Sequence, residues 1–271
     1  MPICVGIILA RKIVITSGKG GVGKTTFTAE LGIHLALKSK KVLMIDADMG
    51  LNNLDVVLGL ESKVIFDLFD LLQGRCSVEQ TFVKDLTLNN LYILPSSHSI
   101  TDIEVSATIF KNIIDLIDKD FDYILIDSPA GIEKGFYRSI YVADEAIVVA
   151  TPTVSAIRDA DKVISILQSY EFNNVNLVVN RVRSDMIKKG LMLSARQISK
   201  VLRRPLLGVI PEDDCISIYS QLGRLNLNDS LSNIAFDIVA NNIDNGQNRI
   251  FEPENYSKSL IFKLKRLVKN I

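Results

Sequence analysis

The stretch Ser17-Gly18-Lys19-Gly20-Gly21-Val22-Gly23-Lys24-Thr25-Thr26 decides how the chain folds. Gly18 to Thr25 is a complete match to G-x-x-x-x-G-K-[ST], a phosphate-binding loop. Its flanks agree: Lys12 to Thr16 reads as a strand and Thr25 to Leu37 as a helix. The glycines tolerate positive φ and leave room for backbone amides to wrap a phosphate chain. Those N–H groups and the helix N-terminus offer partial positive charge to the anion. Lys24 is placed to reach the β- and γ-phosphates, and the Thr25 hydroxyl to ligate Mg²⁺. Every residue from Gly18 to Thr26 is therefore a candidate nucleotide contact.

Outward from the loop, apolar runs alternate with helical stretches, the order an α/β fold requires. The runs are Val42–Ile45, Leu91–Leu94, Tyr123–Ile126, Ala146–Ala150, Val175–Val179 and Leu206–Ile210. Continuous apolar strands of this kind are buried on both faces, so a mostly parallel twisted sheet with helices on both sides is expected. One domain over 11–240 is the economical division. The Asn-rich run Asn241–Asn248, with Gly246, reads as the start of a linker over 241–256, followed by a tail at 257–271. Residues 1–10 are apolar but far short of the ~20 needed to span a bilayer. They read as a leader or a strand extension.

Ligands of open α/β sheets sit at the carboxyl ends of the strands. Asp127, at the end of Tyr123–Ile126, is placed to hold the Mg²⁺ shell beside Thr25, since hard cations take oxygen ligands. Asp46-Ala47-Asp48 closes the strand Val42–Ile45. The two acids, one on each side of Ala47, are expected to take separate roles. Asn180-Arg181-Val182-Arg183 stands where guanine-specific GTPases carry N-K-x-D. Arg183 replaces the final acid, which favours ATP.

Composition sets limits. The chain has 31 basic and 31 acidic residues, so no global field draws it to nucleic acid, and no specific nucleic-acid partner is expected. Three scattered cysteines, Cys4, Cys76 and Cys215, support neither a disulfide framework nor a zinc site. The tail Ser259–Ile271 sets Leu260, Ile261, Leu264, Leu267, Val268 and Ile271 on one helical face and cations on the others, with Phe262 the misfit. That is the pattern of an interfacial helix, although a helix packed on its own core would share it.

Several motifs carry a family resemblance. Lys19-Gly20-Gly21-Val22-Gly23-Lys24 resembles the deviant Walker A loop of the MinD/ParA ATPases, with Lys19 at the signature-lysine position. Asp46-Ala47-Asp48-Met49-Gly50-Leu51-Asn52-Asn53-Leu54-Asp55 is similar to switch I of the MinD branch. Asp127-Ser128-Pro129-Ala130-Gly131-Ile132-Glu133 is similar to its switch II, and the tail to its membrane-targeting helix. The resemblance thus spans about Arg11 to the last residue. It implies an Mg²⁺-dependent ATPase that dimerises on ATP, with Lys19 reaching the partner's nucleotide. Asp46 would stand in the outer Mg²⁺ shell, and Asp48 would orient the attacking water. Asn180 and Arg181, with Pro211-Glu212-Asp213, would flank the base.

The same resemblance implies placement of a division site, with a MinC-like inhibitor and a MinE-like activator as partners. Helix Ser155–Gln168, with Arg158-Asp159-Ala160-Asp161, looks like their docking surface, or else a plain solvated face. Location would be bacterial cytoplasm and inner membrane, or chloroplast stroma and inner envelope, in both soluble and peripheral membrane phases. Three rivals share parts of this pattern. A ParA-type partitioning ATPase would want a basic DNA patch rather than an amphipathic tail. An iron–sulfur reductase of the nitrogenase iron-protein type needs paired cluster cysteines. A non-hydrolysing scaffold would leave Asp48 idle.

Overall fold

A computed structural model describes residues 9–48, 53–96, 106–222 and 230–256. Eight strands form one sheet: β1 (Arg11–Thr16), β2 (Val42–Asp46), β3 (Val83–Lys84), β4 (Leu91–Leu94), β5 (Tyr123–Asp127), β6 (Glu145–Ala150), β7 (Val175–Val182) and β8 (Leu206–Pro211). Their spatial order is β3-β4-β2-β5-β1-β6-β7-β8, and every pairing is parallel except β3 with β4. The helices are α1 (Lys24–Leu37), α2 (Leu54–Leu58), α3 (Leu68–Leu72), α4 (Ala107–Ile117), α5 (Lys134–Tyr141), α6 (Val154–Ser169), α7 (Ser184–Lys188), α8 (Ala195–Leu202), α9 (Asp214–Gln221), α10 (Leu231–Asn245) and α11 (Pro253–Tyr256).

Strand alternation splits the interior into two cores. In β1, Ile13 and Ile15 face Phe27 and Leu31 of α1 and Phe236 and Val239 of α10. Val14, between them, joins the opposite core with Phe110 of α4, Phe136 of α5, Ile164 of α6 and Ile198 of α8. The expected layers, helices on both faces of a mostly parallel sheet, are the observed ones. The short antiparallel edge strand β3 and the brief helices α2, α3, α7 and α9 were not expected. They are too short for a periodic pattern to register.

The linker expectation needs correction. Asn241–Asn245 form the last turn of α10, which stops at Gly246 in the left-handed region (φ 63°). Asn242 is buried, and its side-chain amide donates to Leu207 O at 2.9 Å and Arg249 O at 2.6 Å. Its Oδ1 accepts from Arg249 N at 3.0 Å. Ile250 packs against one core, while the next residue, Phe251, is buried in the other. Consecutive residues can serve both faces only at the sheet's margin, so 249–252 is a strap along edge strand β8. Asparagine reads as a linker residue by composition, but here it fastens chain by hydrogen bonds. Residues 1–8 of the expected leader or strand extension and the tail 257–271 lie outside the described residues, as do Met49–Asn52 of the second loop.

Candidate nucleotide site

Strand β1 ends at Thr16 and α1 starts at Lys24, so the intervening loop is held between two rigid elements at the carboxyl end of the sheet. Gly23 precedes α1 at φ 88° and supplies no side-chain cap, leaving the first-turn amides of α1 for another acceptor. Gly21 also has positive φ, 77°. The loop is braced from three sides. Gly131 N donates to Ser17 O at 3.1 Å, and Ser17 Oγ donates to Lys19 O at 3.0 Å. Asn180 Nδ2 donates to Val22 O at 2.8 Å. Helix α6 closes on Gly18 so tightly that a Cβ there would stand 2.2 Å from Asp159 O.

Three hydroxyl and ammonium groups converge on Asp127, which is almost fully buried. Lys24 Nζ lies 3.0 Å from Oδ1, Thr25 Oγ1 donates to Oδ2 at 2.6 Å, and Thr28 Oγ1 donates to Oδ1 at 3.0 Å. Thr28 was not foreseen. Its position one turn beyond Lys24 was the available signal, because residues i and i+4 share a helix face. The parallel register of β2 on β5 sets Asp46 directly beside Asp127. Asp46 accepts amide hydrogens from Asp48, Asn53 and Leu54 at 3.0–3.2 Å. Burial, then the charge of Asp127, still pushes it up to about 7.

Asp48 is half-buried. Burial raises its pKa, Lys24 opposes that, Asp127 adds to it and Arg138 opposes it; the net shift is upward. Arg138 also donates to Ala47 O at 3.1 Å and lies over the Phe110 ring. No sequence signal pointed to Arg138, because its helix reaches the site only through the fold. Two adjacent carboxylates and a hydroxyl make a hard oxygen set that fits Mg²⁺. No cage of three or more His, Cys, Asp or Glu exists among the described residues. An ion here would thus keep waters and take further oxygens from phosphate, which is how Mg²⁺ prefers to bind.

The remaining candidates are arranged differently. Lys19 is exposed beside the loop, Gly20 is exposed, and Thr26 is half-buried. Pro211 ends β8 opposite Val182, the last residue of β7, which carries Asn180 two positions earlier, and Glu212 N donates to Val182 O at 3.0 Å. Asn180 is already committed, through Nδ2 to Val22 and through Oδ1 to Arg181 N at 2.9 Å. Arg181 itself is exposed and sits at φ 57°. Asp213 accepts from Ser232 Oγ at 2.8 Å, from Ser232 N at 3.2 Å and from Cys215 N at 3.0 Å. Burial would raise it, but these donors hold it below the ordinary carboxylate range. In α6, Arg158 and Asp161 are exposed, whereas Ala160 is core.

Comparison with known proteins gives the geometry a family. A model of an AAA domain matches residues 10–179. A septum site-determining protein MinD of Guillardia theta is 43% identical over 95% of this chain and 97% of its own length. The MinC:MinD cell division protein complex of Aquifex aeolicus contains a chain with TM-score 0.82 and 42% identity, covering 88% of this chain and 96% of that one. The septum site-determining protein MinD of Pyrococcus horikoshii, complexed with Mg-ADP, has TM-score 0.78 and 31% identity, with 87% and 96% covered. A loop of this geometry, in a chain matched along nearly its whole length, leaves one assignment: the chain belongs to the MinD family of septum site-determining proteins.

Proposed function

We propose that this chain is an Mg²⁺-dependent ATPase that acts as a membrane-associated switch in placing the division site. The observation that carries the reading is the convergence of Lys24, Thr25 and Asp46 on Asp127 beneath a braced phosphate loop. Bound Mg²⁺ would neutralise charge on the leaving phosphate oxygens. Thr25 and Asp127 are the groups to hold it, with Asp46 in the outer shell. Lys24, which pairs with Asp127, has only to swing its ammonium toward the β- and γ-phosphates. Asp48, raised in pKa and flanked by Lys24 and Arg138, is suited to accept from an attacking water and fix its direction. Lys19, exposed and without an ion-pair partner among the described residues, is free to act on the nucleotide of a second copy.

Gly18, Gly20, Gly21, Val22 and Gly23 would cradle phosphate by backbone amides. Asn180, Arg181 and Pro211-Glu212-Asp213 would border the base. Because Asn180 and Asp213 are tied to the protein's own backbone and side chains, their part is to shape that wall more than to read the base. ATP-driven pairing brings two tails to one surface, and Leu260, Ile261, Leu264, Leu267 and Val268 enter an anionic membrane. Two weak anchors joined in a dimer gain an effective concentration in the mM range. A MinC-type inhibitor and a MinE-type activator dock on the exposed face of α6, around Arg158 and Asp161. The sites of action are bacterial cytoplasm and inner membrane, or chloroplast stroma and inner envelope. None of the described helices is long and apolar enough to cross a membrane.

The test is co-sedimentation with anionic vesicles, and ATP turnover measured alongside. ATP should bring the protein down and ADP should not, and turnover should require Mg²⁺. Equal sedimentation with both nucleotides would overturn the switch. Turnover that survives unchanged in Asp48→Ala would remove that residue from the reaction.

A further inference from the structure

The chain is neutral overall, but its charge is unevenly placed. Residues 181–204, from the end of β7 through α7 and α8, hold eight arginines and lysines against one acid, Asp185. Arg183 is neutralised by Asp185 at 2.9 Å. Four of the others, Arg196, Lys200, Arg203 and Arg204, lie on α8 or just after it. Ala195, Ile198 and Leu202 bury one side of that helix, while Arg196 and Lys200, at i and i+4, line the exposed one, and Arg203, also exposed, follows its last residue. Arg203 terminates α8 in the left-handed region at φ 52°, a conformation that costs free energy for a non-glycine residue. Lys200 and Arg203 have no ion-pair partner among the described residues.

A second observation locates this face. Arg196 pairs with Glu252 at 2.8 Å, so the strap along β8 is fastened to α8. The strap continues as α11, where the described chain ends at Tyr256, fifteen residues from the C-terminus. The chain that leads to the tail is therefore tied to α8 four residues before the described residues end.

We propose that the face formed by Lys200 and Arg203 is a second contact with anionic lipid that sets how the domain sits on the membrane. This rests on the reading of the tail as the primary anchor. A lone amphipathic helix on a flexible joint would leave the domain free to tumble. Fastening the strap through Arg196 and Glu252, and offering cations at that same edge, limits the orientations in which the tail can insert. Lipid fits better than nucleic acid. Each cation near an anionic leaflet contributes separately to binding, whereas duplex affinity requires many phosphate contacts at once. The apolar stripe of the tail also has a use only at a lipid surface.

The experiment uses the full chain with ATP and Mg²⁺, on vesicles of phosphatidylcholine with and without phosphatidylglycerol. The variants are Lys200→Gln/Arg203→Gln, the charge reversal Lys200→Glu/Arg203→Glu, and Leu264→Glu in the tail. On phosphatidylglycerol vesicles the double Gln variant should bind roughly ten- to thirty-fold more weakly, about five-fold per cation. The reversal should bind more weakly still. Both losses should shrink at high salt, where screening shortens the reach of charge. Thermal melting and ATP turnover without vesicles should match the native chain, since the face is remote from the phosphate loop. Native-like vesicle binding by both double variants would overturn the proposal. So would loss of binding to a 30-base-pair duplex with vesicle binding intact, which would make this a nucleic-acid surface. If Leu264→Glu leaves vesicle binding unchanged while the double variants lose it, the tail reading fails and the face stands alone.

Discussion

Two buried acids, one at the end of β2 and one on α1, show how one chemical change can serve different ends. Asp46 sits at the rim of the sheet, and Glu30 sits inside, between α1 and α10. Burial lifts both: Asp46 from 3.8 to about 7, Glu30 from 4.5 to about 8. Their partners differ. Asp46 receives three backbone amides and faces Asp127. Glu30 Oε2 is buried without a hydrogen-bond partner, and its nearest basic group, His34 Nδ1, is 4.0 Å away. His34 is itself held below its ordinary pKa by burial, although its contacts with Glu30 O and Asn233 oppose that. The rim is built to hold a charge once a cation arrives. The interior holds its acid neutral and gains only packing.

The largest expected break in this comparison lies at the rim. Lys24→Ala removes the cation that pairs with Asp127 and should reach phosphate. ATP turnover should fall by about two to three orders of magnitude, the cost of losing one preorganised charge donor. Affinity for a fluorescent ATP analogue should fall with it. Lys19→Ala, in the same loop but exposed, should keep affinity within about two-fold while losing stimulated turnover, if transition-state stabilisation comes from the partner copy. Equal loss of affinity in both variants would erase the distinction between the two lysines.

Much of the rim was legible because its logic is local. Gly18 to Thr25 is a contiguous motif, and Asp46 and Asp127 each end an apolar run, so strand period and the carboxyl-end rule locate them. Parallel register then brings the two acids side by side, which no spacing in sequence reveals. Arg138 and Thr28 were missed for the same reason: one reaches the site across α5, the other by a helical turn. The Asn-rich segment misled in the opposite direction. Composition called it a linker, whereas Asn242 ties α10 to β8 and to Arg249 through contacts seven to thirty-five positions apart. Composition reports what a residue prefers when free, and these contacts are made only after folding.

The interior acid gives a smaller and different signal, in stability. A carboxyl raised from 4.5 to about 8 contributes stability that is whole below its unfolded pKa and is lost as pH rises through the folded one. The native chain should therefore melt at progressively lower temperature from about pH 5 to pH 8. Glu30→Gln should flatten that slope, removing roughly 3–5 kcal/mol of pH-dependent destabilisation at most. Asp46 adds a similar slope ending near pH 7, but Mg²⁺ with ADP should cancel its share by favouring the ionised form. Melting curves with and without Mg-ADP then separate the two acids. A nucleotide that flattens the whole slope would place Glu30 in the ligand's field and break the comparison.

The smallest expected effect joins the two regions. Thr28 stands on α1 between the rim residue Lys24 and the interior residue Glu30. Its hydroxyl bonds both Lys24 O, at 3.1 Å, and Asp127 Oδ1, at 3.0 Å. Thr28→Val keeps the shape and deletes the hydroxyl, so Asp127 keeps Lys24 and Thr25 but loses one of its three side-chain partners. A hydrogen bond to a charged acceptor contributes about 1.5–3 kcal/mol. Two partners remain, so the lower end applies, near a ten-fold change. If Thr28 orients Asp127 for the cation, the loss should appear as a rise in the Mg²⁺ concentration needed for half-maximal turnover, with melting temperature almost unchanged. If it serves only the helix, the melting temperature should fall while the Mg²⁺ requirement stays constant. Titrating Mg²⁺ against turnover in Thr28→Val, beside a melting curve, decides whether the rim ends at Thr25 or extends one turn deeper into α1.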